Sequence, residues 1–176
     1  MTSIEVRMAR EEDWRTIRDL RLRALIDAPD AFGSTHQEER EKDEVAWRSW
    51  VIGWSGAEQV TVLAQDGDAW VGLAVGLRWK PVDDVAHLFA MWVDGAHRGR
   101  GIGVAMVEAI AEWAKVTGAE TLELRVTEAN APAVALYRGA SFVDTGERST
   151  LREGSPVMTM TMRRQLRPPG RAVDRG

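Results

Sequence analysis

The sequence predicts a mixed α/β (α+β) fold, a mostly antiparallel sheet of about seven strands flanked by four helices. Three observations carry that prediction. Seven short runs alternate apolar with polar residues or are continuously apolar, as strands do. Four other stretches repeat their apolar residues at helical spacing. The two kinds follow one another in the order β-α-α-β-β-β-α-β-α-β-β, which suits a sheet covered by helices.

A chain of 176 residues is long enough to bury a core as a single domain, placed here at residues 1–166. Residues 167–176 are basic, rich in proline and glycine and without apolar periodicity, and are expected to form a flexible C-terminal tail. The net charge of −4 argues against nucleic acid as a partner, because phosphate backbones ask for basic surfaces. The absence of cysteine excludes disulfides, thiolate metal sites and a cysteine nucleophile. His36, His87 and His97 are scattered without metal-ligand spacing, so no metal is expected. Neither a signal peptide nor an apolar run of about 18 residues is visible, so no membrane partner is expected and a cytoplasmic location is.

Residues 2–8 alternate Ile4, Val6 and Met8 with Ser3, Glu5 and Arg7, a half-buried strand. Over residues 10–26 the period becomes helical (Trp14, Ile17, Leu20, Leu25), with Glu11, Glu12 and Asp13 favourably placed in the first turn. Asp27-Ala28-Pro29-Asp30 stops that helix, and residues 31–36 read as loop. A second helix is expected over residues 38–52. Its start is acidic (Glu38, Glu39, Glu41), and Val45, Trp47, Trp50 and Val51, with Trp54 just beyond, give it a greasy side. Val60, Val62 and Ala64 open the next strand. Gln65-Asp66-Gly67-Asp68 turns it back into the strand at residues 70–79, and a central strand enters near Ala86.

A helix beginning near Gly101 presents Val107, Ile110, Ala111 and Ala114 on one face and stops at Gly118. Leu122, Leu124 and Val126 then alternate with Glu123, Arg125 and Thr127. A strand, a crossover helix and a second strand make a right-handed unit, so this strand is expected parallel to the central one. Asn130-Ala131-Pro132 opens a short helix ending near Gly139, since proline suits a first turn. Residues 142–151 and 157–164 flank Glu153-Gly154-Ser155-Pro156 as a terminal hairpin.

Between the central strand and its following helix lies Arg98-Gly99-Arg100-Gly101-Ile102-Gly103-Val104. Glycines let a backbone approach a ligand closely, and the unpaired N–H groups of a first helical turn favour an anion. The two arginines can add charge-assisted bonds to phosphate oxygens. A dinucleotide loop, G-x-G-x-x-G, fails at Val104, and a triphosphate loop fails for want of its lysine and hydroxyl. The pattern [QR]-x-x-G-x-[GA] fits, and with it the chain resembles the GNAT superfamily of acetyl-CoA-dependent N-acyltransferases. The order of elements agrees with that fold over nearly the whole chain. Residues 126–137 also look like the family's V-x-x-x-N-x-x-A-x-x-L-Y signature, with Val126, Asn130, Ala133, Leu136 and Tyr137 in place. Ser141 departs from it, standing where the family usually has glycine.

The resemblance implies acetyl-CoA as co-substrate, with its pyrophosphate held by Arg98 to Val104. Its pantetheine arm would lie in a splay between the central strand and the parallel neighbour, paired with main-chain groups of Met91, Trp92 and Val93. Asn130 and Ala133 belong to the same cofactor site, and Tyr137 would protonate the leaving thiolate. A free thiol at about 8.5 and a tyrosine at about 10 make that transfer nearly balanced. The central strand offers no carboxylate as general base. His36, Glu38, Glu39, Glu128 and an ordered water chain remain candidates, and of these Glu39 is the catalytic choice. Trp47, Trp50, Trp54, Trp79 and Trp92 could wall the acceptor cavity or pack the core, and the acidic helix start could attract a cationic amine. The leading expectation is transfer to a small-molecule amine. The alternatives are an N-terminal or lysine acceptor on a protein, and a silent acyl-CoA-binding sensor. A homodimer is expected only by analogy with the family.

Overall fold

The computed structural model describes residues 4–53, 57–79 and 84–166. Trp54, the first residues of the opening strand, most of the turn after residue 79 and the tail at 167–176 lie outside the described residues. Seven strands form one sheet: β1 (Ile4–Met8), β2 (Ala57–Asp66), β3 (Ala69–Trp79), β4 (Val85–Val93), β5 (Thr121–Thr127), β6 (Val143–Thr150) and β7 (Met158–Gln165). Their order is β1-β2-β3-β4-β5-β7-β6, and β4/β5 is the parallel pair among antiparallel neighbours, as the crossover rule requires.

Among the described residues five α-helices cover the sheet: α1 (Trp14–Asp27), α2 (His36–Arg40), α3 (Glu44–Ile52), α4 (Ile102–Val116) and α5 (Ala131–Gly139). The fifth arises because the expected second helix is two. Thr35 and Glu38 form a capping box on α2, and the Asp43 side chain accepts from the Ala46 N–H at 2.9 Å to start α3. An aspartate gains more as an N-cap than inside a helix, so the chain restarts there.

The alternation of β2 sorts two cores. Val60, Val62 and Ala64 meet Met106, Val107, Ile110 and Ala111 of α4 on one face. Leu63, with Leu73 and Val75 of β3, meets Trp14, Ile17, Leu20, Trp47 and Trp50 of α1 and α3 on the other. The tryptophans are therefore mostly core: Trp47, Trp50 and Trp92 are buried, whereas Trp79 is 46% exposed. Arg7 and Asp13 tie β1 to the start of α1 through two bonds of 2.8 and 2.9 Å, which holds the Asp13 carboxyl below its ordinary pKa.

Strand β4 breaks its own alternation. Ala86 and Leu88 face α4, yet Phe89 and Ala90 both face α1, and afterwards Met91 and Val93 face α4 while Trp92 faces α1. Ala90 adopts φ +53°, and opposite it the pairing steps from Leu73↔Trp92 to Val75↔Phe89. Between those pairs two residues of β4, Ala90 and Met91, oppose one of β3, Ala74, a bulge of one residue that reverses which side chains point where.

Candidate active site

The bulge sits where β4 leaves β5. The parallel register runs from Val85↔Thr121 to Leu88↔Leu124 and ends there, although β5 continues to Thr127 against β7. Past Leu88 the edge of β4 has no partner in β5 among the described residues. The result is a seam of unpaired main chain with the geometry that accepts an added extended segment.

The glycine loop closes one end of the seam. Gly99 and Gly101 stand at φ +77° and +80°, a left-handed backbone that glycine adopts without strain, and Gly101 caps α4. Gly103 answers a different need. A Cβ there would fall 2.6 Å from Leu136 Cδ1 and 3.3 Å from Met91 Cε, so any larger residue would push the ends of those two side chains aside. Around this loop is a cavity of about 570 Å3 that Met91, Trp92, Val93, Arg98, Gly99, Gly101, Ile102, Gly103, Val104, Asn130, Ala133 and Tyr137 line. The structure thus gathers most of the sequence-derived cofactor residues around one space.

The arginines are engaged. Arg98 donates from Nε to the Val93 carbonyl at 2.9 Å and pairs through Nη2 with Asp27. Asp27 also accepts from Trp92 Nε1 at 2.9 Å, and chiefly that bond holds its carboxyl below its ordinary pKa. Arg100 turns to Asp66 and does not line the cavity, which departs from its expected place on the phosphate. An anion arriving at Arg98 must compete with a carboxylate for it.

A second cavity of about 420 Å3 lies on the α1 side of the seam, walled by Arg21, Phe32, Phe89, Leu151 and Thr159 among others. Met91, Asn130, Ala133 and Tyr137 line both cavities, as do Ala31 and Phe32. Asn130 caps α5 by accepting from the Ala133 N–H, and that cap aims the helix so that Tyr137 reaches the junction. Tyr137 is 6% exposed, and burial pushes its phenol well above the ordinary value. Its ring meets Phe142 edge-on at 5.8 Å, and its hydroxyl has no hydrogen-bond partner among the described residues.

Glu39 is not at the surface. It is 3% exposed, bonds Ser34 Oγ at 2.6 Å, pairs with Lys42 at 2.7 Å and lies 3.7 Å from Arg21. Glu38 is held by Thr35 in the capping box, and Glu128 by Arg148 at 2.5 Å. None of His36, Glu38, Glu39 or Glu128 lines either cavity. The acidic helix start therefore lies off both cavities, and the aromatic walls of the smaller one are Phe32, Phe89 and Tyr137 rather than tryptophans. Sequence reasoning passed over Arg21, which stacks on Phe32 at 4.5 Å and reaches Ser34 at 2.8 Å. Its readable signal was a charge on the apolar stripe of α1, one turn from both Ile17 and Leu25.

Among the described residues no helix is long and apolar enough to cross a membrane, and no group of three or more His, Asp or Glu is placed to hold a metal. The L-amino acid N-acetyltransferase AaaT of Escherichia coli strain K12 is 28% identical over 170 residues, covering 93% of this chain and 99% of that protein. The streptothricin acetyltransferase of Streptomyces lavendulae is 33% identical over 113 residues, covering 58% of this chain and 57% of that protein. The solved structure of YncA, an acetyltransferase from Salmonella typhimurium with its cofactor acetyl-CoA, shares the fold at a TM-score of 0.74 and 18% identity. It covers 97% of this chain and 98% of that one. The acetyltransferase (GNAT) family profile matches residues 14–142, spanning α1, the glycine loop and Tyr137, so the chain belongs to the GNAT family of acetyltransferases, an acyltransferase enzyme.

Proposed function

We propose that this chain moves the acetyl group of acetyl-CoA directly to the primary amine of a small molecule. The observation that carries this reading is the meeting of two cavities at Met91, Asn130, Ala133 and Tyr137. At about 420 and 570 Å3 both fall within the range of about 300–1,000 Å3 usual for small-molecule sites. The fit of the cofactor rests on the seam beyond Leu88 and on the space kept open by Gly103.

When bound, acetyl-CoA supplies the acetyl group as an activated thioester. The first-turn N–H groups of α4 and Arg98 would hold its pyrophosphate, and the β4 edge past Leu88, which has no β5 partner among the described residues, would orient the arm at Met91, Trp92 and Val93. A main-chain N–H of that edge donates to the carbonyl oxygen as negative charge develops there. The Tyr137 hydroxyl holds a proton for the departing sulfur as the C–N bond forms and the C–S bond breaks. Its raised pKa keeps it protonated near neutrality, and the same burial raises the affinity of a thiolate for that proton. With no carboxylate from α2 lining the acceptor cavity, the amine gives up its proton to water there.

The test is release of free thiol from acetyl-CoA with panels of small amines and of peptides. Turnover of small amines with little on peptides supports the proposal. Turnover of peptides alone would move the acceptor to proteins, and binding of acetyl-CoA without turnover of either panel would leave a sensor.

A further inference from the structure

We infer that Arg21 receives a carboxylate of the acceptor, so that the acceptor is a short amino carboxylate rather than a simple amine or a polycation. The inference rests on the small-molecule acetyltransferase reading and deepens it.

Arg21 is a guanidinium with 6% of its side chain exposed, lining the acceptor cavity. Nη2 donates to Ser34 Oγ at 2.8 Å, and through that hydroxyl to Glu39. Nε and Nη1 are buried without a hydrogen-bond partner among the described residues. Buried donors of this kind are rare unless something absent from the free protein satisfies them. The faces of Phe32 at 4.5 Å and Trp50 at 5.5 Å offset part of the cost, but they offer no acceptor for an in-plane N–H.

The charge count points the same way. Glu39 is shared between Arg21 and Lys42, so two cations face one buried carboxylate and a positive charge is left over. The acceptor cavity's other charged walls do not cancel it. Glu123 is held by Arg163 through bonds of 2.9 and 2.6 Å, and Arg125 adds a further cation, bonded to the Thr150 carbonyl. A carboxylate brought to Nε or Nη1 would take one of the unsatisfied N–H groups and neutralise the surplus.

Position limits the size of the acceptor. Arg21 lines the same cavity of about 420 Å3 as the junction residues Met91, Asn130, Ala133 and Tyr137. A small amino carboxylate, such as an α-amino acid, could present its carboxylate to Arg21 and its amine to the junction within that one space.

The test compares L-alanine, L-leucine and L-phenylalanine with their carboxamides and their decarboxylated amines. In thiol-release assays the acids are expected to exceed both analogues by about 10- to 100-fold in kcat/KM, chiefly through KM, as loss of a charged hydrogen bond implies. In Arg21→Met the ratio of acid to amide should collapse towards one, and Arg21→Lys, which keeps the charge without the fork, should fall between. Should Arg21→Met not fold, calorimetry on the wild-type chain saturated with coenzyme A decides instead: the acids should bind and the amides should not. Equal turnover of acids, amides and amines by the wild type would overturn the inference and leave the acetyltransferase reading standing. Binding of the acids without any turnover would do the reverse.

Discussion

Tyr137→Phe removes one oxygen from the junction of the two cavities and leaves the ring in place. Because the hydroxyl has no partner among the described residues, no hydrogen bond is lost, and the 5.8 Å edge contact with Phe142 remains. Relief of an unmade bond makes the variant as stable as the wild type, or more stable by up to about 1 kcal/mol. If the hydroxyl is the proton donor, kcat falls by about 100- to 10,000-fold, or about 3–5 kcal/mol in the barrier. Urea unfolding at pH 8 reads the first quantity and thiol release from acetyl-CoA the second. A second signature follows from burial. Below the ordinary tyrosine pKa of about 10 both folded and unfolded phenols are neutral, and the full contribution to stability is present. As pH rises past it, the unfolded phenol ionises while Tyr137, pushed higher, does not. The wild type then loses stability at a rate approaching about 1.4 kcal/mol per pH unit from this group alone, and Tyr137→Phe escapes that loss. Wild-type turnover in Tyr137→Phe would refute the donor assignment, and parallel alkaline stability curves would refute the burial argument.

Gly103→Ala places a methyl 2.6 Å from Leu136 Cδ1, and the leucine can yield only by shifting beside the cofactor cavity. Coenzyme A affinity by calorimetry should fall about tenfold or more, with a stability loss of about 1–3 kcal/mol. Asp27→Asn keeps an acceptor for Trp92 Nε1 but withdraws the negative charge facing Arg98, so coenzyme A should bind about two- to fivefold more tightly at low salt. With water as the proton acceptor, kcat/KM should rise with pH until the acceptor amine is free base. A plateau whose position ignores the pKa of the amine would instead indicate a protein base. Asp13→Asn should cost about 1–3 kcal/mol, because the Arg7 fork loses its charge partner. Wild type and variant should converge in acid, because the Asp13 contribution is full above the ordinary carboxylate pKa and is lost as pH falls from there through the lowered value.

The periodicities of β1, β2, β5 and α4 could be read directly because one face of each is wet or lies over a uniform core. Strand β4 could not. Residues 88–93 are apolar throughout, so a change of facing at Ala90 leaves no mark in the pattern. The break between α2 and α3 was hidden for the opposite reason. Glu41, Lys42 and Asp43 look like ordinary wet helix positions, and only the Asp43 cap distinguishes them. At the site, Asn130, Tyr137 and the glycines were legible because their spacing is local. The pairing of Arg98 with Asp27 and the burial of Glu39 under Arg21 join distant parts of the chain, which no short motif encodes.

The miscount at Ala90 has a consequence for how this chain could fail. Removing a single residue from the 89–91 stretch would restore even alternation along β4, with Trp92 still facing α1 and Val93 still facing α4, and let the strand zip onward against β5. The shortened protein would hold together better by ordinary rules of strand pairing, and the slot between its two halves would be sewn shut. In this chain the opening between β4 and β5 coincides with one strand being a residue too long for its neighbour.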